Sequence, residues 1–429
     1  MKSIRLLQRT QFPELKALLS QLAQIISSMN PVEIYTADNA TEQKTIFLRE
    51  FTENSNTNFC PQFTYNTTLL KSIMAKEAEI VPILEQIAAL SATTDEQDFL
   101  KTLALRRAQS ALDLTHLARH ILVEEDFNSA TQLINIYGPI TDYSLDCANR
   151  SLEQKRNPPT PSQPSILDKR IRQSLSQSIL GAEQIQHFFR QALRNYDFAD
   201  LWEVKICDKA TAIDVRDKSA NGKPTIVIPK GRTVTEIKLL ELIGHEIDSH
   251  VRQSMNGIKL YHGLGGGVFK SDDEVLYEGL AKISDIDFAV KYLGKPLELP
   301  APYFILAMDC ALKGETFATV FKQIFELIKD TKKSDESAQT SAWSTTYRVF
   351  RGSTDPHNEY GYYMPKDRAY LEGYLAAMDM KNSAHYSALE SGIFTLRDME
   401  LILSQYRIRP NDIPFPTANN IALLAESFF

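Results

Sequence analysis

Leucine and isoleucine recur at helical spacing through residues 12–29, FPELKALLSQLAQIISSM, and predict a first helix with one buried face. The next stretch, PVEIYTADNATEQKTIFLREF, reads as a short extended piece followed by a helix, and NFCPQFTYNT as an irregular connection. The same helical period predicts long helices near 69–91 and 95–123 and a shorter one near 126–136. The second long helix starts at Thr93 or Thr94, with acidic residues in its first turn facing the positive end of the helix dipole. RNPPTPSQPS, residues 156–165, follows a polar region. Its four prolines cannot continue a helix, so we place a soft boundary there, between residues 1–155 and 156–429.

A helix is predicted near 166–194, and then the pattern changes. LWEVKICD, TAIDVRD and PTIVIPKG are short and rich in β-branched residues. Asn221-Gly222, between the last two, is a tight-turn signal, so a small sheet precedes the next helix. From 235 onward the chain reads as mostly helical, with loops near 256–272, 293–303, 330–343 and 351–366. The fold class expected is α+β, mostly helical.

The segment after the sheet, TVTEIKLLELIGHEIDSHVRQSMNG, has its own start and stop signals. Thr233 and Glu236 match a capping box, Leu240, Ile243, Ile247 and Val251 form an apolar stripe, and Asn256-Gly257 supplies the stop. Within it His245-Glu246 is followed by His250 at the fifth position, where a zinc peptidase helix usually has its second histidine at the fourth. At about 100° per residue the two imidazoles would point roughly 140° apart on a regular helix, too far to share one metal. A single π-type turn, or a loosened helix end, absorbs the extra residue. The pattern alone is weak, since eight histidines in one chain also produce neighbours by chance.

Composition narrows the class. The chain of 429 residues is 43% hydrophobic and 24% charged, an ordinary globular balance with length for two or three domains. A net charge of −7 without a basic block argues against a nucleic-acid or anionic-membrane partner. Cys60, Cys147, Cys207 and Cys310 are far apart, which predicts buried free thiols in a reducing, cytoplasmic setting rather than a disulfide framework. No secretory signal and no membrane-spanning run is expected.

After a glycine-rich loop, YHGLGGGVFKSDDE, comes VLYEGLAKISD, in which Glu278 opens an apolar helix and Gly279 leaves room beside it. Two histidines and a carboxylate from a downstream helix make an open zinc site, with the glutamate beside the first histidine as base. Here the chain resembles the tyrosine carboxypeptidase family that includes the microtubule-associated enzymes and bacterial proteins with a QEGLA motif. The resemblance rests on H-E-x-x-x-H followed by Glu278-Gly279-Leu280-Ala281, with Tyr277 in place of the motif's glutamine. NPVEIYTADNATEQKTIFL, PQFTYN, WEVKICD, PTIVIPKG, RVFRG (348–352) and MPKDRAYLEGY (364–374) extend it over most of the chain.

The resemblance implies a gluzincin-like zinc metallopeptidase, with residues 156–429 as its catalytic domain. His245, His250 and Glu278 would be the Zn2+ ligands, and Glu246 the base that activates a zinc-bound water. The substrate implied is a peptide or protein C-terminus, with tyrosine as the precedent for the residue released. Tubulin follows only by analogy with the eukaryotic members, because this acidic chain has no long basic arm to meet a microtubule.

Other residues are weaker candidates. Arg348 and Arg351 could hold a substrate carboxylate as bidentate forks. Lys366, Asp367 and Tyr370 could line the pocket, and Tyr362 or Tyr363 could donate to an oxyanion. His262 is a rival ligand, and the glycines at 263, 265, 266 and 267 suggest a mobile loop over the site rather than an anion nest. Asp248, Asp285 and Asp287 could orient a histidine or be solvated acids. Two rival functions stay open: another zinc amidohydrolase, or a non-catalytic regulator with a structural metal.

Overall fold

The computed structural model describes the chain except residues 1, 30, 56, 124–125, 161–164, 168, 209, 211, 217–222, 270–274, 332–333, 356, 384, 419 and 426–429. Helices dominate, and the strands are few and short. They are β1 (Lys2–Ser3), β2 (Ile179–Leu180), β3 (Glu203–Cys207), β4 (Asp214–Arg216), β5 (Thr225–Pro229), β6 (Val234–Thr235) and β7 (Tyr406–Arg407). Three of them form the sheet expected ahead of the histidine helix, in the order β3-β5-β4. β5 is central and buried along its whole length, which is why Ile226, Val227 and Ile228 are apolar in succession rather than in alternation. β3 pairs with it in parallel, Val204 opposite Ile226, and β4 antiparallel, Val215 opposite Ile226. The Asn221-Gly222 turn and part of the proline-rich stretch lie outside the described residues.

Several boundaries move for local reasons. The helix Asp95–Leu122 begins as expected: Thr94 accepts a hydrogen bond from the Gln97 amide, and Asp95, Glu96 and Asp98 fill the first turn. The run near 69–91 is two helices, Thr67–Ala75 and Glu77–Ala89, broken at Lys76. The polar region before the prolines is itself helical, Asp142–Arg156, capped by Thr141. Residues 166–194 do not form one helix. Lys169–Gln177 and Ala182–Arg194 are separated by β2, which pairs antiparallel with β6. The loop expected at 330–343 is shorter, because Ser334 caps a helix, Asp335–Phe350. PVEI is a helical turn, Pro31–Ile34, rather than extended.

Among the described residues three hydrophobic cores hold these elements. The first gathers the N-terminal helices with Leu260, Leu276, Leu280, Ile283 and the C-terminal residues Met399 and Ile402. The second lies between the sheet and the histidine helix, and takes Ile243, Ile247 and Val251. The third joins Phe47, Phe51 and Phe63 to Phe317, Phe321 and Trp343 through mostly edge-to-face ring contacts. The first and third cores both draw on residues from either side of the proline-rich stretch. All four cysteines are free thiols, but only Cys147 is buried. Among the described residues no helix is long and apolar enough to cross a membrane.

An ion cluster ties the long N-terminal helix to the C-terminal part of the chain. Asp398 pairs with Arg106 at 2.7 Å and with the buried Arg107 at 3.0 Å, and Arg107 also donates to the Leu264 carbonyl at 3.0 Å. Burial alone would raise the Asp398 carboxyl, but the charges of Arg107 and Arg106, with the Arg106 and Thr395 hydrogen bonds, outweigh it and hold the group below its ordinary range. A depressed carboxyl stabilises the fold above its unfolded pKa, and that contribution is lost as pH falls through the folded value. Asp398→Asn, which leaves Arg107 buried beside an amide, should therefore cost about 3 kcal/mol at neutral pH. In denaturant melts the gap to the wild type should narrow as the solution is acidified.

Candidate functional site

The histidine helix starts two residues later than the capping-box reading placed it. Thr235, not Thr233, is the cap, accepting from the Lys238 amide, because Val234 and Thr235 are held in the β2–β6 ladder. Glu236–His245 is α-helical, Glu246–Val251 is a π-turn, and α geometry resumes over Arg252–Leu260. The π-turn absorbs the extra residue between the histidines. Inside it the Ser249 hydroxyl donates to the Gly244 carbonyl, five residues back, at 2.9 Å. The two imidazoles meet edge to face with centroids 4.8 Å apart.

Asn256-Gly257 does not end this helix; it continues to Leu260. Gly257 serves close packing instead. A Cβ there would lie 1.8 Å from the Gly265 carbonyl oxygen, so the glycine-rich loop is pressed against the helix and is not a lid over the histidines.

The second helix of the site is Val275–Leu293. Its Leu276, Leu280 and Ile283 enter the first core, which turns Glu278, Lys282 and Asp285 together onto the opposite face at helical spacing. The room left by Gly279 is taken by backbone, since a Cβ there would lie 2.1 Å from the Gly373 carbonyl oxygen. Glu278 thus reaches both histidines: its Oε2 is 4.0 Å from His245 Nε2 and its Oε1 is 3.9 Å from His250 Nε2. One ligand atom from each of the three residues falls within a span of 4.8 Å, a group able to hold a metal ion.

Partners fix both rings. His245 Nδ1 lies 3.0 and 3.1 Å from the two Asp285 oxygens, and Lys282 donates to the same carboxylate at 2.7 Å. The proton on Nδ1 leaves Nε2 facing Glu278, the arrangement by which a carboxylate orients a metal-ligating imidazole. Tyr277 stacks on the His250 ring at 3.8 Å, so the position that departs from QEGLA is the backing of the second histidine.

The field here is strongly negative. Burial works to lower the His245 pKa, yet the charges of Asp285, Glu246 and Glu278 and the Asp285 hydrogen bond raise it to about 9. Burial pushes the Glu246 carboxyl up to about 7, with the His245 charge opposing and Glu278 adding to the rise. Asp285 resists its own burial and is held at about 2 by His245 and Lys282. A site that keeps a proton on a buried imidazole this firmly favours a cation of any kind.

These groups line one cavity of about 760 Å³. Glu246, Arg348 and Tyr370 face it as well, and Phe304, Leu299 and Pro296 form an apolar part of its wall. Arg348 gives Nε and Nη2 to Asp367 and shares Nη2 with the Tyr370 hydroxyl at 3.0 Å. Its guanidinium lies over the Phe304 ring at 4.8 Å.

The other candidates lie elsewhere. Arg351 is buried against Tyr35 and bonded to Asp367, and Lys366 stands over the Tyr137 ring; neither lines the cavity. Tyr362 donates to the Arg351 carbonyl and Tyr363 accepts from the Ile140 amide. His262 bonds the Leu7 carbonyl from a left-handed turn at φ 53°. Asp248 faces away from the cavity and Asp287 pairs with Lys381, leaving Asp285 as the orienting carboxylate of the three. Sequence reasoning missed Tyr277, Lys282 and Phe304. The spacing of Glu278, Lys282 and Asp285 along one helix face was the available signal for the second.

The Asp285–His245 pair can be tested directly. A raised imidazole pKa adds stability that is complete below the ordinary imidazole range and fades as pH rises through about 9. In Asp285→Asn, burial should dominate and bring the His245 pKa of the metal-free protein well below that of the wild type. NMR titration of the imidazole checks this, and an unchanged value would refute the assignment of Asp285 as the cause.

No curated protein sequence matches the chain significantly. A model of the family described as microtubule-associated tyrosine carboxypeptidase matches residues 49–407, which contain the whole cluster of histidines and carboxylates. The match covers most of the chain, and the protein belongs to that family.

Proposed function

We propose that this protein is a zinc-dependent carboxypeptidase of gluzincin type that hydrolyses the last peptide bond of a peptide or protein chain. The family's name denotes such an activity. The observation that carries the zinc reading is the convergence of His245, His250 and Glu278 across the π-turn. The donor set, two imidazole nitrogens and a carboxylate oxygen, suits zinc and leaves a coordination position open. The two imidazole nitrogens lie 4.0 and 3.9 Å from the two Glu278 oxygens, and one ligand atom from each residue falls within 4.8 Å of the others, so side-chain adjustments of about an ångström would let the three hold one ion.

Zinc held there would supply a Lewis acid for the scissile carbonyl and make a water acidic near neutral pH. The chain's own residues do the rest. Glu246, buried beside His245 at the cavity wall, accepts a proton from the attacking water and returns it to the departing amine. Asp285 keeps the proton on His245 Nδ1. Lys282 and Arg348, though paired with Asp285 and Asp367, put positive charge on the cavity wall for a terminal carboxylate, while Phe304, Tyr370 and Leu299 offer an apolar wall to the side chain being released. An aromatic residue such as tyrosine fits that wall. The charged residues of the cavity's outer lining are mixed, Lys155 and Lys295 against Asp214, Glu241 and Glu298. They give no strong preference for an acidic chain. We therefore propose peptide C-termini as the substrate class, with tubulin as one member to assay.

Glu246→Gln should retain stoichiometric zinc and lose turnover by about 10²- to 10⁴-fold, the usual loss on removing a general base. Metal analysis and peptide cleavage measured side by side check it. Cleavage of C-terminally amidated peptides as fast as free ones would sink the carboxypeptidase reading. A Glu246→Gln protein with its full biological effect would sink the enzymatic one.

A further inference from the structure

The π-turn has a second support that does not face the cavity. We propose that the C-terminal segment carrying Phe415, Asn420 and Ile421 is a brace that holds the histidine helix in its π register, with Asp248 as the positioning residue it grips. The proposal rests on the reading of His245 and His250 as partners in one site. The brace itself lies beyond residue 407, outside the span matched by the family.

A π-turn is an uncommon and costly choice for a helix, so something must hold it against relaxing to α geometry. Asp248 sits inside the turn between the two histidines and is buried. Its Oδ1 accepts from the Tyr196 hydroxyl at 2.8 Å and from Asn420 Nδ2 at 2.7 Å, and its Oδ2 from the Asn420 backbone amide at 3.1 Å. The Tyr196 hydroxyl accepts in turn from the Ala418 amide at 2.9 Å. A buried carboxylate with three donors in fixed positions cannot swing without stranding its charge.

The same segment touches the helix on both sides of the turn. Before it, Ile421 packs so closely on Gly244 that a Cβ there would lie 2.8 Å from the isoleucine Cδ1. After it, Asn256 and the Phe415 backbone exchange two hydrogen bonds, of 2.9 and 3.2 Å. Three fixed points along one segment, at Gly244, Asp248 and Asn256, match a helix carrying one extra residue. On a regular helix each residue turns about 100°, so loss of the π-turn would rotate everything beyond it by about that angle relative to Gly244. Either the Asp248 contacts or the Asn256 contacts would then fail. The brace therefore selects the register in which His250 comes back toward His245.

Two variants of the whole 429-residue chain test this. Asp248→Asn puts an amide among three donors, and Asn420→Ala removes one donor while sparing the backbone contact. With folding verified by circular dichroism, both should lower zinc affinity by about 10- to 100-fold, the range for residues that orient ligands from behind. Cobalt(II) substituted for zinc should give an altered visible spectrum, which a loss of bulk stability would not produce. Crystal structures of the variants should show α geometry, or disorder, over residues 246–251. Wild-type affinity and spectrum with the π-turn intact would overturn the proposal. Should Asp248→Asn fail to fold, Asn420→Ala decides the question alone. Should the wild type bind no metal, the reading of the site fails, and the register seen in the variant crystals still judges the brace.

Discussion

One extra residue between two histidines is the constraint on which this molecule turns. On a regular helix His245 and His250 would diverge, and Glu278 could serve only one of them. The π-turn over Glu246–Val251 brings both rings to one carboxylate, and the rest of the site is arranged about that meeting point. Asp285 and Lys282 come from the glutamate helix, and Tyr277 backs His250 from the same helix. Two glycines make this convergence possible by close backbone contact. Gly257 lets the loop press on the histidine helix, and Gly279 lets the glutamate helix meet the backbone at Gly373.

The site's charge has a simple logic. Around His245 the carboxylates of Glu246, Glu278 and Asp285 outweigh the nearby Lys282, and a proton on the imidazole helps balance them. Any ion that takes its place must displace that proton, which couples binding to pH through the same residues that orient the ring.

The central residues of the candidate site were legible in the sequence because their chemistry is local. His245, Glu246, His250 and Glu278 stand in short motifs, and helical geometry alone predicts that five-residue spacing needs a π-turn or a loosened end. Arg351 and Lys366 look equally suited to a substrate carboxylate in one dimension, yet only Arg348 faces the cavity; the packing of Asp367, Tyr35 and Tyr137 decides that. The fold was legible where period and caps agree, as at Thr94 and in β5. It was not where a distant partner overrides a local signal. Thr233 has a capping pattern, but pairing of β6 with β2 moves the cap to Thr235. Asn256-Gly257 is a stop signal in isolation, and becomes mid-helix because Phe415 and Gly265 hold it there.

The pairing of β1 with β7 carries a consequence for how the chain comes to be. Lys2 and Ser3 run parallel to Tyr406 and Arg407, so two segments far apart in the chain are joined in one small ladder. A contact between such distant positions closes a loop of nearly the whole chain, an entropic step that local helices do not face. During synthesis Lys2 and Ser3 emerge long before their partners exist, and Ile4 and Leu7, which follow them closely and are buried in the first core, must wait with them. This ladder and its packing can form only once residue 407 has emerged, and until then Ile4 and Leu7 stay exposed and open to chaperones.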